Sequence, residues 1–167
     1  MNREDLHGYQ NAVVNFITKK LRCALFLDMG LGKTVITLTA ISDLLDDFRI
    51  NKVLIIAPLR VANSVWQQEA QRWSHLEHLN ISICTGTFSE RQKALESGDI
   101  HIVNKENVTW LVRTFKNWKY DMVVVDESSG FKSHTSMRFK ALRSVLKYTE
   151  SLVLLTGTPT PNGYMDL

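Results

Sequence analysis

The sequence of 167 residues has little cysteine, little proline and no long apolar run. Its two cysteines, Cys23 and Cys84, lie inside apolar segments without the spacing of a metal or redox motif. We therefore expect no disulfide framework. We expect buried thiols in a reducing compartment instead. No apolar stretch approaches the ~20 residues that cross a bilayer, and the opening MNREDLHGYQ lacks a signal-peptide core. We expect a cytoplasmic protein without a membrane partner.

The charge balance restricts function only weakly. The formal net charge is +3 and the sequence pI is about 8.9, which is compatible with a nucleic-acid partner but does not identify one. With 44% hydrophobic and 22% charged residues, the composition is that of a globular protein. The length predicts one domain that can bury its own core.

Short β-branched runs alternate with longer segments of helical spacing. The expected strands are 23–28, 52–57, 81–84, 100–103, 121–126 and 151–155, and the expected helices are 8–20, 33–46, 62–75, 89–96, 105–116 and 136–148. This order predicts an α/β fold: a mostly parallel sheet with helices on both faces, in three layers. Ligands bind such sheets beyond the carboxyl ends of the strands, where the polar residues of this chain fall.

The stretch FLDMGLGKTVITLTA, residues 26–40, places a glycine-rich turn between a strand and a helix. Such a turn directs backbone N–H groups and the positive end of a helix toward one point, which suits a phosphate. Lys33 would reach the outer phosphates and Thr34 would ligate Mg²⁺. Leu27 stands where the strict pattern has its first glycine, so on this fragment alone a plain glycine turn that caps a helix stays open.

The stretch VVVDE, residues 123–127, carries two adjacent carboxylates to the end of a buried strand. Two acids held close together favour a bound cation or a proton-transfer role. Asp126 would hold Mg²⁺, and Glu127 would orient and activate the attacking water. The alternative is a solvated Asp-Glu helix cap.

Together these motifs resemble the first RecA-like lobe of a superfamily 2 helicase of the SNF2-like branch. LHGYQ is similar to the Q-motif region, LDMGLGKT to motif I, APLRVANSVWQQEAQRW to motif Ia, VVVDESSGFKSHTSMRFKALR to motif II and LTGTPTPNG to motif III. The resemblance covers nearly the whole chain, and the FKSHTSMRFKALR segment is particularly like that of compact bacteriophage proteins. Ser128 and Ser129 replace the usual Ala-His of motif II. In the family, the histidine of that pair helps link the nucleotide site to motif III.

The resemblance implies ATP and Mg²⁺ as cofactors and DNA, duplex or single-stranded, as partner. It implies catalytic roles for Lys33, Asp126 and Glu127, and Mg²⁺ ligands in Thr34 and Asp126. It further implies nucleotide contacts from Gln10, Met29, Gly30, Leu31, Gly32, Lys33, Thr34 and Val35; nucleic-acid contacts from Arg60, Thr85, Gly86, Asn104 and Lys105; and coupling through Thr156, Gly157 and Thr158.

By the same resemblance, residues 1–167 form lobe 1 of a motor, and a second RecA-like lobe, absent from this chain, supplies arginines for catalysis. We expect a monomer whose isolated lobe hydrolyses ATP slowly, in the host cytoplasm if a phage encodes it. An RNA helicase lobe and a non-catalytic nucleotide-gated DNA-binding module remain alternatives. Trp66 and Trp73 are interpreted as core residues, and His75 with His78 as a weak zinc candidate.

Overall fold

The computed structural model describes residues 1–128 and 136–157. The helices are α1 (Gly8–Lys20), α2 (Lys33–Asp46), α3 (Leu59–Arg72), α4 (Phe88–Ala94), α5 (Val108–Thr114) and α6 (Met137–Leu146). The strands are β1 (Arg22–Phe26), β2 (Val53–Ala57), β3 (Ile81–Cys84), β4 (Ile100–Asn104), β5 (Met122–Val125) and β6 (Ser151–Thr156). All the elements expected from the sequence are present, most with bounds shifted by a few residues.

Within these ranges the strands form one six-stranded sheet in the order β1-β6-β5-β2-β4-β3. Every neighbouring pair is parallel. The carboxyl ends of all six strands therefore meet at one edge, as the sequence predicts. Since β2 lies between β5 and β4, residues distant along the chain become neighbours at that edge.

Helices cover the two faces of the sheet, and each face has its own core. Along β2, Val53 and Ile55 belong to the core under α1, α2 and α3, whereas Leu54 and Ile56 belong to the core under α5 and α6. All four side chains are fully buried. Burying each one contributes about 1.5–3 kcal/mol, which is why β2 and the neighbouring β5 are apolar at every position.

The largest shifts of a helix start occur in α3 and α5, and each is three residues. Helix α3 begins at Leu59 rather than 62, because Pro58 occupies the N-cap position and its carbonyl accepts from the Ala62 N–H at 2.8 Å. Helix α5 begins at Val108 rather than 105, because residues 105–107 form a short 3-10 turn first. In both cases the local hydrogen bonding at the strand end decides the boundary.

A buried polar triad lies at the amino end of β4. The ring of His101 is fully buried, with Nε2 2.7 Å from the Ser97 carbonyl and Nδ1 2.7 Å from the Tyr120 hydroxyl. Since a carbonyl can only accept, Nε2 carries a proton, and in the neutral ring Nδ1 accepts from the tyrosine hydroxyl. Burial lowers the pKa of His101 below its ordinary value, so the neutral ring is the native form.

The tryptophans and cysteines expected in the core are buried or partly buried. Trp66 and Trp73 are both core residues, which confirms that interpretation. Cys84 is buried and Cys23 is partly buried, and burial raises the pKa of each thiol to about 11. Among the described residues no helix is both long and apolar enough to cross a membrane.

Candidate functional site

The strand order divides the carboxyl edge of the sheet into two halves. The glycine-rich loop follows β1, Gly157 follows β6, and Asp126 with Glu127 follow β5, so the expected nucleotide residues share one half. The expected nucleic-acid residues follow β2, β4 and β3 on the other half. The sequence predicts each group, and the strand order brings the members of each group to neighbouring strand ends.

The glycine-rich loop turns sharply into α2. Gly30 and Gly32 have φ angles of +85° and +80°, a conformation that glycine adopts without strain. Gly32 is the N-cap residue of α2, so the free N–H groups of the first helical turn open at this loop. Met29 is 89% exposed on the loop, while Val35 is buried beneath it. This backbone can receive an anionic group.

Lys33 lies folded over the loop. Its Nζ donates to the carbonyl of Leu27 at 2.6 Å and to that of Asp28 at 3.3 Å. A Cβ placed on Gly157 would lie 3.8 Å from this Nζ, so the end of β6 is next to the ammonium. Neutral carbonyls hold the charge here, and phosphate oxygens can replace them without leaving an unpaired buried cation.

Gln10 packs against the same loop from the start of α1. Its side chain is 6% exposed, its Oε1 accepts from the His7 N–H at 2.9 Å, and its Nε2 lies 3.4 Å from the Leu31 carbonyl. The Tyr9 hydroxyl donates to the same carbonyl at 3.0 Å. Tyr9 was not among the residues expected from the sequence. The two side chains fix the loop, and a contact between Gln10 and adenine stays a prediction.

Asp126 is a largely buried carboxylate at the end of β5. Its N–H donates to the Ile56 carbonyl at 2.7 Å, and its Oδ2 accepts from the Trp66 indole N–H at 3.2 Å. Burial raises its pKa; the Trp66 hydrogen bond opposes this shift, the Glu127 charge adds to it, and the Lys33 charge opposes it. A carboxylate whose charge is disfavoured by burial gains from a divalent cation, so the surroundings of Asp126 suit Mg²⁺. Thr34 is the second residue of α2, and its Mg²⁺ contact stays a prediction.

Glu127 continues the chain in a left-handed conformation, with φ of +54°. Its carbonyl accepts from the Nζ of Lys105 at 2.6 Å. Lys105 is only 9% exposed, and burial lowers its pKa, while the charges of Glu127, Asp126 and Glu106 raise it. The sequence placed Lys105 among the nucleic-acid contacts, but its ammonium is engaged inside the protein. No sequence signal indicated this bond.

The other expected nucleic-acid residues differ in exposure. Arg60 is exposed on the first turn of α3, and Gly86 is exposed with φ of +88°. The Thr85 hydroxyl donates to Asn63 Oδ1 at 2.6 Å. Asn104 is buried and bonds within its own turn, to Glu106 and Asn107. Nucleic-acid contact stays a prediction for all of them.

Two of the three expected coupling residues, Thr156 and Gly157, end the described part of the chain. Thr156 is buried, and its carbonyl accepts from the Leu27 N–H at 3.2 Å, which joins β6 to the glycine-rich loop. Gly157 follows beside Lys33. Thr158, like Ser129 in motif II, lies outside the described residues. Ser128 is buried at 3% exposure, and its hydroxyl has no hydrogen-bond partner within the described ranges.

The two candidate zinc histidines contact separate hydroxyls of α2. His75 Nε2 lies 2.9 Å from Thr39 Oγ1, and His78 Nε2 lies 3.3 Å from Ser42 Oγ. In the part of the chain that the structure describes, no group of three or more His, Cys, Asp and Glu side chains is arranged to hold a metal. The Mg²⁺ expected at the sheet edge would need no such group, because phosphate oxygens and water would complete its coordination.

Comparison with known proteins gives one consistent result. The family described as "SNF2-related domain" matches residues 9–167. "Putative protein p41" of Acyrthosiphon pisum secondary endosymbiont phage 1 is 37% identical over 168 residues, which cover 95% of this chain and 36% of that protein. "Helicase ssl-1" of Caenorhabditis elegans is 30% identical over 99% of this chain and 7% of its own length.

Among solved structures, the "Sulfolobus solfataricus SWI2/SNF2 ATPase core in complex with dsDNA" superposes with a TM-score of 0.80 and 28% identity, covering 98% of this chain and 34% of that one. The chain therefore spans about a third or less of these relatives. The likeness confirms the RecA-like, three-layer α/β/α fold expected from the sequence.

Proposed function

The chain belongs to the family of SNF2-related domains, and from this premise we propose that it binds Mg²⁺-ATP and hydrolyses it as one lobe of a motor that moves on or remodels DNA. The observation that carries the proposal is the meeting of three segments at adjacent strand ends: the glycine-rich loop, the Asp126–Glu127 turn and Gly157. A glycine-rich loop alone would permit many nucleotide-binding roles. A loop beside a pair of partly buried carboxylates favours hydrolysis.

Each residue would act by position and charge. The N–H groups at the start of α2 and the Lys33 ammonium would bind the phosphates. Thr34 and Asp126 would hold Mg²⁺, which when bound neutralises phosphate charge. Glu127 would orient the attacking water and accept its proton, and Gln10 would contact adenine.

DNA is the proposed polymer because the SWI2/SNF2 ATPase core of Sulfolobus solfataricus, which has the same fold, was solved in complex with dsDNA. Arg60, Thr85 and Gly86 would meet its backbone at the ends of β2 and β3, where phosphate contacts position the protein without reading bases. A second RecA-like lobe would complete the site by adding positive charge against the transferred phosphate. We therefore expect this chain alone to bind ATP and to hydrolyse it slowly.

The test is ATP turnover by this chain and by the chain extended through any native sequence that follows it, each with duplex DNA, single-stranded DNA, RNA and no polymer. Lys33→Ala is the inactive variant, and Lys19→Ala, on the exposed last turn of α1, is its matched control. We expect DNA to stimulate the extended protein. Stimulation by RNA alone would indicate an RNA helicase lobe, and ATP binding without turnover would indicate a nucleotide-gated module.

A further inference from the structure

Lys105 is a buried cation directed at the main chain of the proposed catalytic turn. It follows β4, is 9% exposed, and its Nζ donates to the Glu127 carbonyl at 2.6 Å. A buried ammonium is costly unless acceptors surround it. The charges of Glu127, Asp126 and Glu106 also favour its protonated form. The sequence separation of the two residues is 22, and β2 lies between their strands.

The residue that receives this bond is strained. Glu127 has φ of +54°, a conformation that non-glycine residues adopt rarely and keep only where neighbouring contacts enforce it. On one side, the Asp126 N–H is fixed to the Ile56 carbonyl at 2.7 Å. On the other side, the Lys105 ammonium is fixed to the carbonyl of Glu127 itself. The turn is thus held at the peptide group that precedes Asp126 and at the one that follows Glu127.

We propose that Lys105 is a positioning residue that holds the Glu127 main chain in its left-handed conformation and thereby sets the direction of the Asp126 and Glu127 carboxylates. This inference rests on the proposed function in one respect only, namely that these carboxylates act in ATP hydrolysis. It assigns to Lys105 a task different from gripping DNA. An ammonium held at 2.6 Å inside the protein cannot also bind a phosphate at the surface without releasing the turn.

The decisive variant is Lys105→Met, which keeps much of the length and apolar volume but removes the charged donor. The matched control is Lys19→Met, on the exposed end of α1. Both are measured in the full natural protein. Hydrogen exchange of the peptide spanning 122–128, without nucleotide, reports on the turn itself. ATP kcat and KM without DNA report on catalysis, and DNA affinity at several salt concentrations reports on phosphate contact.

We expect exchange in the 122–128 peptide to rise at least about fivefold in Lys105→Met, because the released carbonyl lets the turn open. We expect kcat to fall about tenfold, equivalent to about 1.4 kcal/mol, with KM and DNA affinity within about twofold. A role in folding stability alone would lower the thermal stability without a selective fall in kcat at unchanged KM. Lys105→Arg, which keeps a charged donor, should recover at least half of the lost protection.

Two results would overturn the inference. One is unchanged exchange at 122–128. The other is a loss of DNA affinity with a shallower salt dependence and unchanged DNA-independent turnover, which would make Lys105 a phosphate contact. If the wild type hydrolyses no ATP under any condition, the proposed function fails, while the exchange comparison still decides the role of Lys105. Should Lys105→Met not fold, Lys105→Gln takes its place with the same outcomes.

Discussion

Replacing Gly32 by alanine tests how closely the glycine-rich loop and Gln10 fit together. Gly32 has φ of +80°, and a Cβ there would lie 2.4 Å from Gln10 Nε2 and 3.2 Å from Val35 Cγ1. Gly30, two residues earlier, has φ of +85°, but its Cβ would meet nothing within 4 Å. Gly30→Ala therefore measures the backbone cost alone, and Gly32→Ala measures that cost plus a collision.

The magnitudes follow from these contacts. Alanine in the left-handed region costs about 1–2 kcal/mol, and this is the whole effect expected for Gly30→Ala. In Gly32→Ala the Gln10 amide must also move and lose its 2.9 Å bond from the His7 N–H. One such hydrogen bond contributes about 0.5–1.5 kcal/mol, and the longer contact to Leu31 adds less. We expect Gly32→Ala to lower the free energy of unfolding by about 2–4 kcal/mol in total.

Urea unfolding of Gly30→Ala, Gly32→Ala, Gln10→Ala and the Gly32→Ala/Gln10→Ala double variant provides the test. Gln10→Ala removes the atoms with which the new Cβ collides. The loss of unfolding free energy in the double variant should therefore be smaller than the sum of the two single losses, by at least about 1 kcal/mol. Equal losses for the two glycine variants, or additivity of Gly32→Ala with Gln10→Ala within about 0.5 kcal/mol, would show that Gln10 does not pack against Gly32.

Three further predictions concern the buried polar groups. Trp66→Phe removes the 3.2 Å hydrogen bond to Asp126 and should lower the free energy of unfolding by about 1.5–3 kcal/mol in urea titrations; a change below about 0.5 kcal/mol would contradict it. Ser128→Ala removes a buried hydroxyl that has no partner among the described residues, so the free energy of unfolding should stay within about 0.5 kcal/mol or rise. Ser151→Ala loses the 2.8 Å hydrogen bond to the Leu21 carbonyl and should lower it by about 1 kcal/mol; equal costs for the two variants would refute this contrast. Folding lowers the pKa of His101 below 6.5, so the unfolded chain takes up the proton first as the pH falls. The free energy of unfolding should therefore decrease below about pH 6.5, by up to about 1.4 kcal/mol per pH unit. Urea titrations between pH 5 and 7 should show a shallower pH dependence for His101→Gln, and identical slopes would contradict the prediction.

The fold and the local motifs could be predicted because their signals lie in consecutive residues. The apolar run of β2 and the turn GLGKT each specify their own geometry within a few positions. The bonds of Trp66 to Asp126 and of Lys105 to Glu127 could not be predicted, since they join residues 60 and 22 positions apart. Both depend on the order β5-β2-β4, which alternating helices and strands do not determine.

For Trp66, the sequence indicates that a hydrogen bond exists but does not identify its partner. A buried indole N–H normally finds an acceptor, so the interpretation of Trp66 as a core residue implied a partner without naming it. Lys105 carried no comparable signal, because a lysine next to a strand end is most often exposed. Its burial follows from the 3-10 turn at 105–107, which starts directly after β4 and directs the side chain back over the sheet edge.

The two bonds act on different parts of the same turn. Trp66 donates to the carboxylate of Asp126, so its loss changes the charge and hydration of one side chain. Lys105 donates to the main chain of Glu127, so its loss frees a strained backbone and changes the direction of two carboxylates together. Both donors come from the half of the sheet edge that carries the expected DNA contacts: Trp66 from the helix after β2, and Lys105 from the turn after β4. Under the proposed function, a movement of either segment upon DNA binding would reach the proposed catalytic turn through a single hydrogen bond. The two halves of the edge are thereby directly connected.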